Sequence, residues 1–100
     1  MVREIPIARI NANYDVAGVD QSITFSGLQS SSPSGNITNY SWYFSDNTSK
    51  SGASVTHSFR SVGNYSVTLI ITDSKGISSN PSSINIVVRN FDSSVIQTIN

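Results

Sequence analysis

One hundred residues suit one domain with one modest core. Six basic and six acidic residues cancel to zero net charge. That balance argues against nucleic acid or an anionic membrane surface as partner, because both call for a basic excess. Cysteine is absent, which excludes disulfides, thiolate metal sites and cysteine nucleophiles.

Charged residues make up only 12% of the chain, about half the usual quarter. Ser, Thr and Asn occupy the positions that Lys and Glu fill in most cytosolic proteins. This bias is that of exported and cell-surface domains. Met1 to Glu4 is not followed by a long apolar run, so neither a signal peptide nor a membrane span is expected. The chain is therefore read as a piece of a longer exported protein, placed outside the cell or at its surface.

Taken in chain order, the apolar pattern repeats every two residues rather than every 3.6. Ile5, Ile7 and Ile10 read as a strand that bends or shifts register. Ala17-Gly18 reads as a turn. Gln21 to Ser26 is a short strand with Ile23 and Phe25 inward. Ser32-Pro33-Ser34-Gly35 supplies turn chemistry. Thr38 to Phe44 sets Tyr40, Trp42 and Phe44 against Asn39, Ser41 and Tyr43. Asp46-Asn47 and Ser51-Gly52 are turns on either side of a polar stretch. Val55 to Phe59 is another short strand, ended by Val62-Gly63.

The clearest strand runs from Asn64 to Asp73. Tyr65, Val67, Leu69 and Ile71 share one face; Ser66, Thr68 and Thr72 share the other, where Ile70 is an apolar exception. Ser74-Lys75-Gly76 turns the chain, and Asn80-Pro81 marks a strand end, since proline lacks an amide donor. Ser83 to Arg89 places Ile84, Ile86 and Val88 opposite Asn85, Val87 and Arg89. No window carries a capped amphipathic helix. The whole reads as an all-β, immunoglobulin-like sandwich of two antiparallel sheets with about seven strands and no disulfide. Residues 1–89 form the domain. Residues 90–100 lose the alternation and read as a linker or the start of a following module.

Trp42 sits mid-strand on the apolar face, and Tyr65 opens the strongest strand just after Gly63. Three segments around them carry a family resemblance. They are Asn36-Ile37-Thr38-Asn39-Tyr40-Ser41-Trp42-Tyr43-Phe44-Ser45-Asp46-Asn47, Thr56-His57-Ser58-Phe59, and Gly63-Asn64-Tyr65-Ser66-Val67-Thr68-Leu69-Ile70-Ile71-Thr72-Asp73. In order and spacing they resemble the PKD (polycystic kidney disease) domain. That family has a Trp-Asp-Phe-Gly-Asp-Gly motif, a His-Thr-Tyr-like element and a Gly-Thr-Tyr-Thr-Val-Thr-Leu-type strand ending in Asp. The resemblance implies a disulfide-free sandwich with a core signature of Trp42, Phe44, Tyr65, Val67 and Leu69. It also implies a spacer or adhesion module in archaeal or bacterial surface proteins, S-layer-like proteins or secreted hydrolases. A fibronectin-type or plain immunoglobulin domain is the alternative fold.

The sequence departs from the family at Trp42-Tyr43-Phe44-Ser45-Asp46-Asn47, where one aspartate and both glycines are missing. It departs again at Ser32-Pro33-Ser34-Gly35, where the family has an acidic Asp-Pro-Asp-Gly loop. Some members hold calcium near these loops. Asp46 and Asp73 are the remaining candidates, and two isolated carboxylates are few for an ion that takes six to eight oxygen ligands. No metal and no cofactor is expected, and Asp46 is read as closing its turn through its side chain.

Catalysis finds little support. The one histidine, His57, lies in a strand and reads as a structural residue hydrogen-bonded near the core. A Ser–His pair would also need an orienting group and an oxyanion hole. The outward face is more informative. Tyr43, Ile70 and Val87 are apolar residues on an otherwise hydroxyl-rich surface and form a candidate binding face. Asn36, Asn39, Asn47 and Asn64 begin Asn-X-Ser/Thr sequons, whereas Asn80 is disqualified by Pro81. The chain thus reads as a non-catalytic spacer or assembly module of a surface protein. The alternative is an accessory polysaccharide- or substrate-binding module of a secreted hydrolase. Its expected partners are neighbouring domains of the parent protein, other surface proteins, or cell-wall and extracellular glycans. No membrane insertion is expected, and the isolated domain is expected to be a monomer.

Overall fold

The computed structural model describes residues 5–33 and 35–90. All of the expected linker but Asn90 lies outside them. Among the described residues, eight strands form two sheets: β1 (Asn11–Ala12), β2 (Val16–Gly18), β3 (Ile23–Ser26), β4 (Ile37–Phe44), β5 (Thr48–Ser51), β6 (Ser54–His57), β7 (Gly63–Asp73) and β8 (Ser82–Arg89). One sheet has the order β1-β3-β6 and the other β2-β8-β7-β4-β5. The chain is an all-β sandwich, as its period-two pattern requires.

The core lies between the sheets. Ile23 and Phe25 from β3 meet Trp42 and Phe44 from β4, Val67, Leu69 and Ile71 from β7, and Ile86 and Val88 from β8, all buried. Phe25 packs edge-on against Phe44 with centroids 5.5 Å apart and tilts against Trp42 at 6.1 Å. Trp42 is 0% exposed, and its indole Nε1–H donates to the Gly52 carbonyl at 2.8 Å. That bond satisfies the one polar group a buried tryptophan brings inside. Tyr65 stacks on Phe59 at 4.2 Å and donates its hydroxyl to the Ser61 carbonyl. This is the tyrosine-corner arrangement of immunoglobulin-like sandwiches.

Three expectations need correction. First, Ala17-Gly18 is not a turn but part of β2, with both residues buried. The turn comes one step later, where Asp20 adopts φ 65° and the Gln21 amide bonds back to the Gly18 carbonyl. Second, β2 pairs parallel with β8, so the larger sheet is not wholly antiparallel. The chain crosses between the sheets after β1 and adds β2 to the edge of the larger sheet beside β8. Third, the Ile5–Ile10 stretch forms no continuous strand. Ile7 makes one isolated bridge to Ser31 before β1 begins at Asn11. A strand that the sequence pattern did not show, β5, is polar throughout (Thr48-Ser49-Lys50-Ser51) and forms by pairing with β4.

Candidate functional site

The turn after β4 brings the chemistry-bearing side chains together. Phe44 pairs with Thr48, leaving Ser45-Asp46-Asn47 as a three-residue hairpin loop. Asn47 takes φ 72°, a left-handed conformation that asparagine tolerates better than most residues. Asp46 Oδ1 accepts the Thr48 amide at 3.1 Å and fixes the loop. Its Oδ2 lies 2.8 Å from His57 Nε2. Burial alone would raise the Asp46 carboxyl. The hydrogen bonds from Thr48 and His57, together with the His57 charge, outweigh it and hold the group below the usual carboxylate range.

His57 ends β6 in the smaller sheet, and Asp46 follows β4 in the larger one. The pair therefore ties the two sheets across one side of the sandwich. The imidazole lies between Phe44, at 4.3 Å, and Phe59, which it meets edge-on at 4.8 Å. Lys50 makes a second tie, donating from Nζ to the Thr56 carbonyl. Asp46, Lys50, Thr56 and His57, with Ser22, Thr48, Ser58 and Arg60, line an open cleft of ≈ 370 Å³.

Asp73 stands at the far end of β7, opposite Ile37, whereas Val67 on the same strand faces Phe44 beside the Asp46 loop. Six residues of strand separate the two ends, roughly 20 Å. Asp46 and Asp73 therefore cannot share an ion. Buried Asp73 instead accepts the Lys75 and Ile77 amides, each at 2.9 Å, through Oδ1 and organises its own turn. Gly76 in that turn has φ 80°, which favours glycine. Among the described residues, no three His, Asp or Glu side chains cluster as metal ligands would.

On the outer face of the larger sheet, Tyr43 faces Thr68 and Ser49, and Ile70 faces Ser41. Tyr43 and Ile70 are thus diagonal neighbours, within reach of an aromatic ring. Tyr43 is 50% exposed and Ile70 half-buried. Val87 does not join them. It faces Asn64 and Val16, six residues along β7 from Ile70 and roughly 20 Å away. The hydroxyls of Thr68 and Ser83 bond to one another beside Tyr43 at 2.9 Å.

All four sequon asparagines are exposed. Asn36 precedes β4, Asn47 sits in the hairpin loop, and Asn64 lies near the start of β7. Asn39 projects from β4 and donates to Ser41 Oγ, the hydroxyl of its own sequon, at 3.0 Å.

Residues 3–88 match the PKD domain family. The chain is 42% identical over 72 residues to a microbial collagenase of Vibrio alginolyticus, covering 72% of this chain and 9% of that protein. It is 35% identical over 75 residues to collagenase ColA of Clostridium perfringens, covering 75% and 7%. The chain thus spans less than a tenth of these relatives' lengths. Among solved structures, the PKD1 domain of the Vibrio cholerae metalloprotease PrtV superposes with a TM-score of 0.68 at 32% identity, covering 83% of this chain and 98% of that one. A structure described in terms of carbohydrate-binding modules of the β-sandwich superfamily superposes at 0.82 with 27% identity, covering 87% and 35%. With this fold, this core and these relatives, the chain belongs to the PKD domain family.

Proposed function

We propose that this domain is an accessory module of an extracellular hydrolase, holding the parent enzyme on its polymeric substrate. The carrying observation is Tyr43, half-exposed beside Ile70 on a hydroxyl-rich sheet face. An aromatic ring supplies apolar contact area at little entropic cost, and the surrounding Ser and Thr hydroxyls can exchange hydrogen bonds with a polymer. The relatives support this role over the spacer or adhesive-assembly role, because they are named as collagenases and a metalloprotease.

The test is depletion of the domain from solution over insoluble collagen, with cellulose as the polysaccharide arm. Wild type is expected to be retained on one of them, and the Tyr43→Ser/Ile70→Ser variant to remain in solution. Equal retention of both proteins would remove Tyr43 and Ile70 as the contact.

A further inference from the structure

The cleft between the sheets lies away from the outer face that carries Tyr43, and its chemistry is different. Its eight lining residues are all polar: Ser22, Asp46, Thr48, Lys50, Thr56, His57, Ser58 and Arg60. Two fixed cations, Lys50 and Arg60, stand against one carboxylate. Both oxygens of that carboxylate are already engaged, by the Thr48 amide and by His57. What the cleft offers an incoming ligand is therefore donors and positive charge. Lys50 gives one N–H to the Thr56 carbonyl and keeps two more, and the exposed Arg60 guanidinium brings a planar fork suited to oxyanions.

We infer that this cleft is a binding site for an acidic polysaccharide, taking a carboxylate or sulfate ester between Lys50 and Arg60 and neighbouring sugar hydroxyls on Ser22, Thr56 and Ser58. Two features favour a glycan over an acidic peptide. The cleft has no apolar lining residue to receive a peptide side chain. The β6 edge, where an extended peptide would add as a strand, is covered at Thr56 by Lys50.

The site is independent of the outer face, so its test can fail separately. Fluorescence anisotropy of the full chain would use four labelled probes: an oligogalacturonate, a heparin-derived oligosaccharide, a neutral dextran oligomer and oligoglutamate. The first two arms distinguish carboxylate from sulfate. The expected result is salt-sensitive binding of one or both acidic glycans, weakened about tenfold in Lys50→Gln/Arg60→Gln. Binding should be retained in Lys50→Arg and unchanged in Tyr43→Ser. Arg60→Gln alone, at an exposed position, keeps the test open if the double variant does not fold. Binding equal to that of dextran, tighter binding of oligoglutamate, no binding of either acidic glycan, or unchanged affinity in a folded Arg60→Gln variant would each overturn the inference.

Discussion

The Tyr65 hydroxyl donates to the carbonyl of Ser61, 2.8 Å away and four residues upstream. The same ring stacks on Phe59, so one side chain both closes the corner between β6 and β7 and seals the core beneath it. The two roles separate by mutation. Tyr65→Phe keeps the stack and removes the bond, and should cost about 0.5–1.5 kcal/mol. Tyr65→Ala removes both and should cost about 3 kcal/mol or more. Urea unfolding would show both as lower midpoints at an unchanged slope.

Trp42 makes a comparable pairing with Gly52 from the interior. Trp42→Phe leaves the Gly52 carbonyl without its indole donor, a loss of about 1–3 kcal/mol before any cavity forms. Trp42→Ala adds the cavity and should cost about 3–5 kcal/mol. Circular dichroism must follow these melts, because the chain has one tryptophan and the variants have no indole fluorescence.

The Asp46–His57 tie gives stability a pH dependence of definite sign. The Asp46 carboxyl is lowered in the folded protein, so near its titration the unfolded chain binds more protons than the native one. Its contribution is present in full above the unfolded value of about 3.9 and lost as pH falls through the lower folded value. Asp46→Asn should therefore melt below wild type at pH 6, with the gap closing toward pH 2. A gap that stays constant over that range would show that the carboxylate charge contributes nothing.

Calcium at millimolar concentration should leave the melting temperature unchanged. Asp46 uses both oxygens within the fold and Asp73 uses Oδ1, and the two stand at opposite ends of the β4–β7 ladder. A rise of several degrees in a calcium titration would contradict this.

The long strands were legible because each buries one face: in β7, β8 and the Trp42–Phe44 end of β4 the alternation of residue type follows the alternation of burial. Of the short strands, β3 and β6 overlap expected ones, but β2 and β5 were not legible. β2 is Val-Ala-Gly and β5 is Thr-Ser-Lys-Ser, and both exist through pairing rather than through any pattern of their own. Period two also tells which face a residue takes but not which row. Tyr43, Ile70 and Val87 do share a face, yet register sets Val87 beside Val16 instead. The Asp46–His57 contact was hidden for a related reason. Eleven residues separate its members, and only the packing of one sheet on the other brings them together. Asp46 at a turn and His57 in a strand could each be read alone; their partnership could not.

The parallel pairing of β2 with β8 also has a mechanical side. Val16, Ala17 and Gly18 lie beside Val87, Val88 and Arg89, so a strand from the beginning of the domain runs alongside its last strand in the same direction. Tension applied to the two ends of the domain slides these strands past one another. The hydrogen bonds between them are loaded in shear and must give way together, whereas a hairpin pulled from its open end unzips one bond at a time. If the domain is tethered between an enzyme and a fixed polymer, as proposed above, this three-residue ladder shares that load.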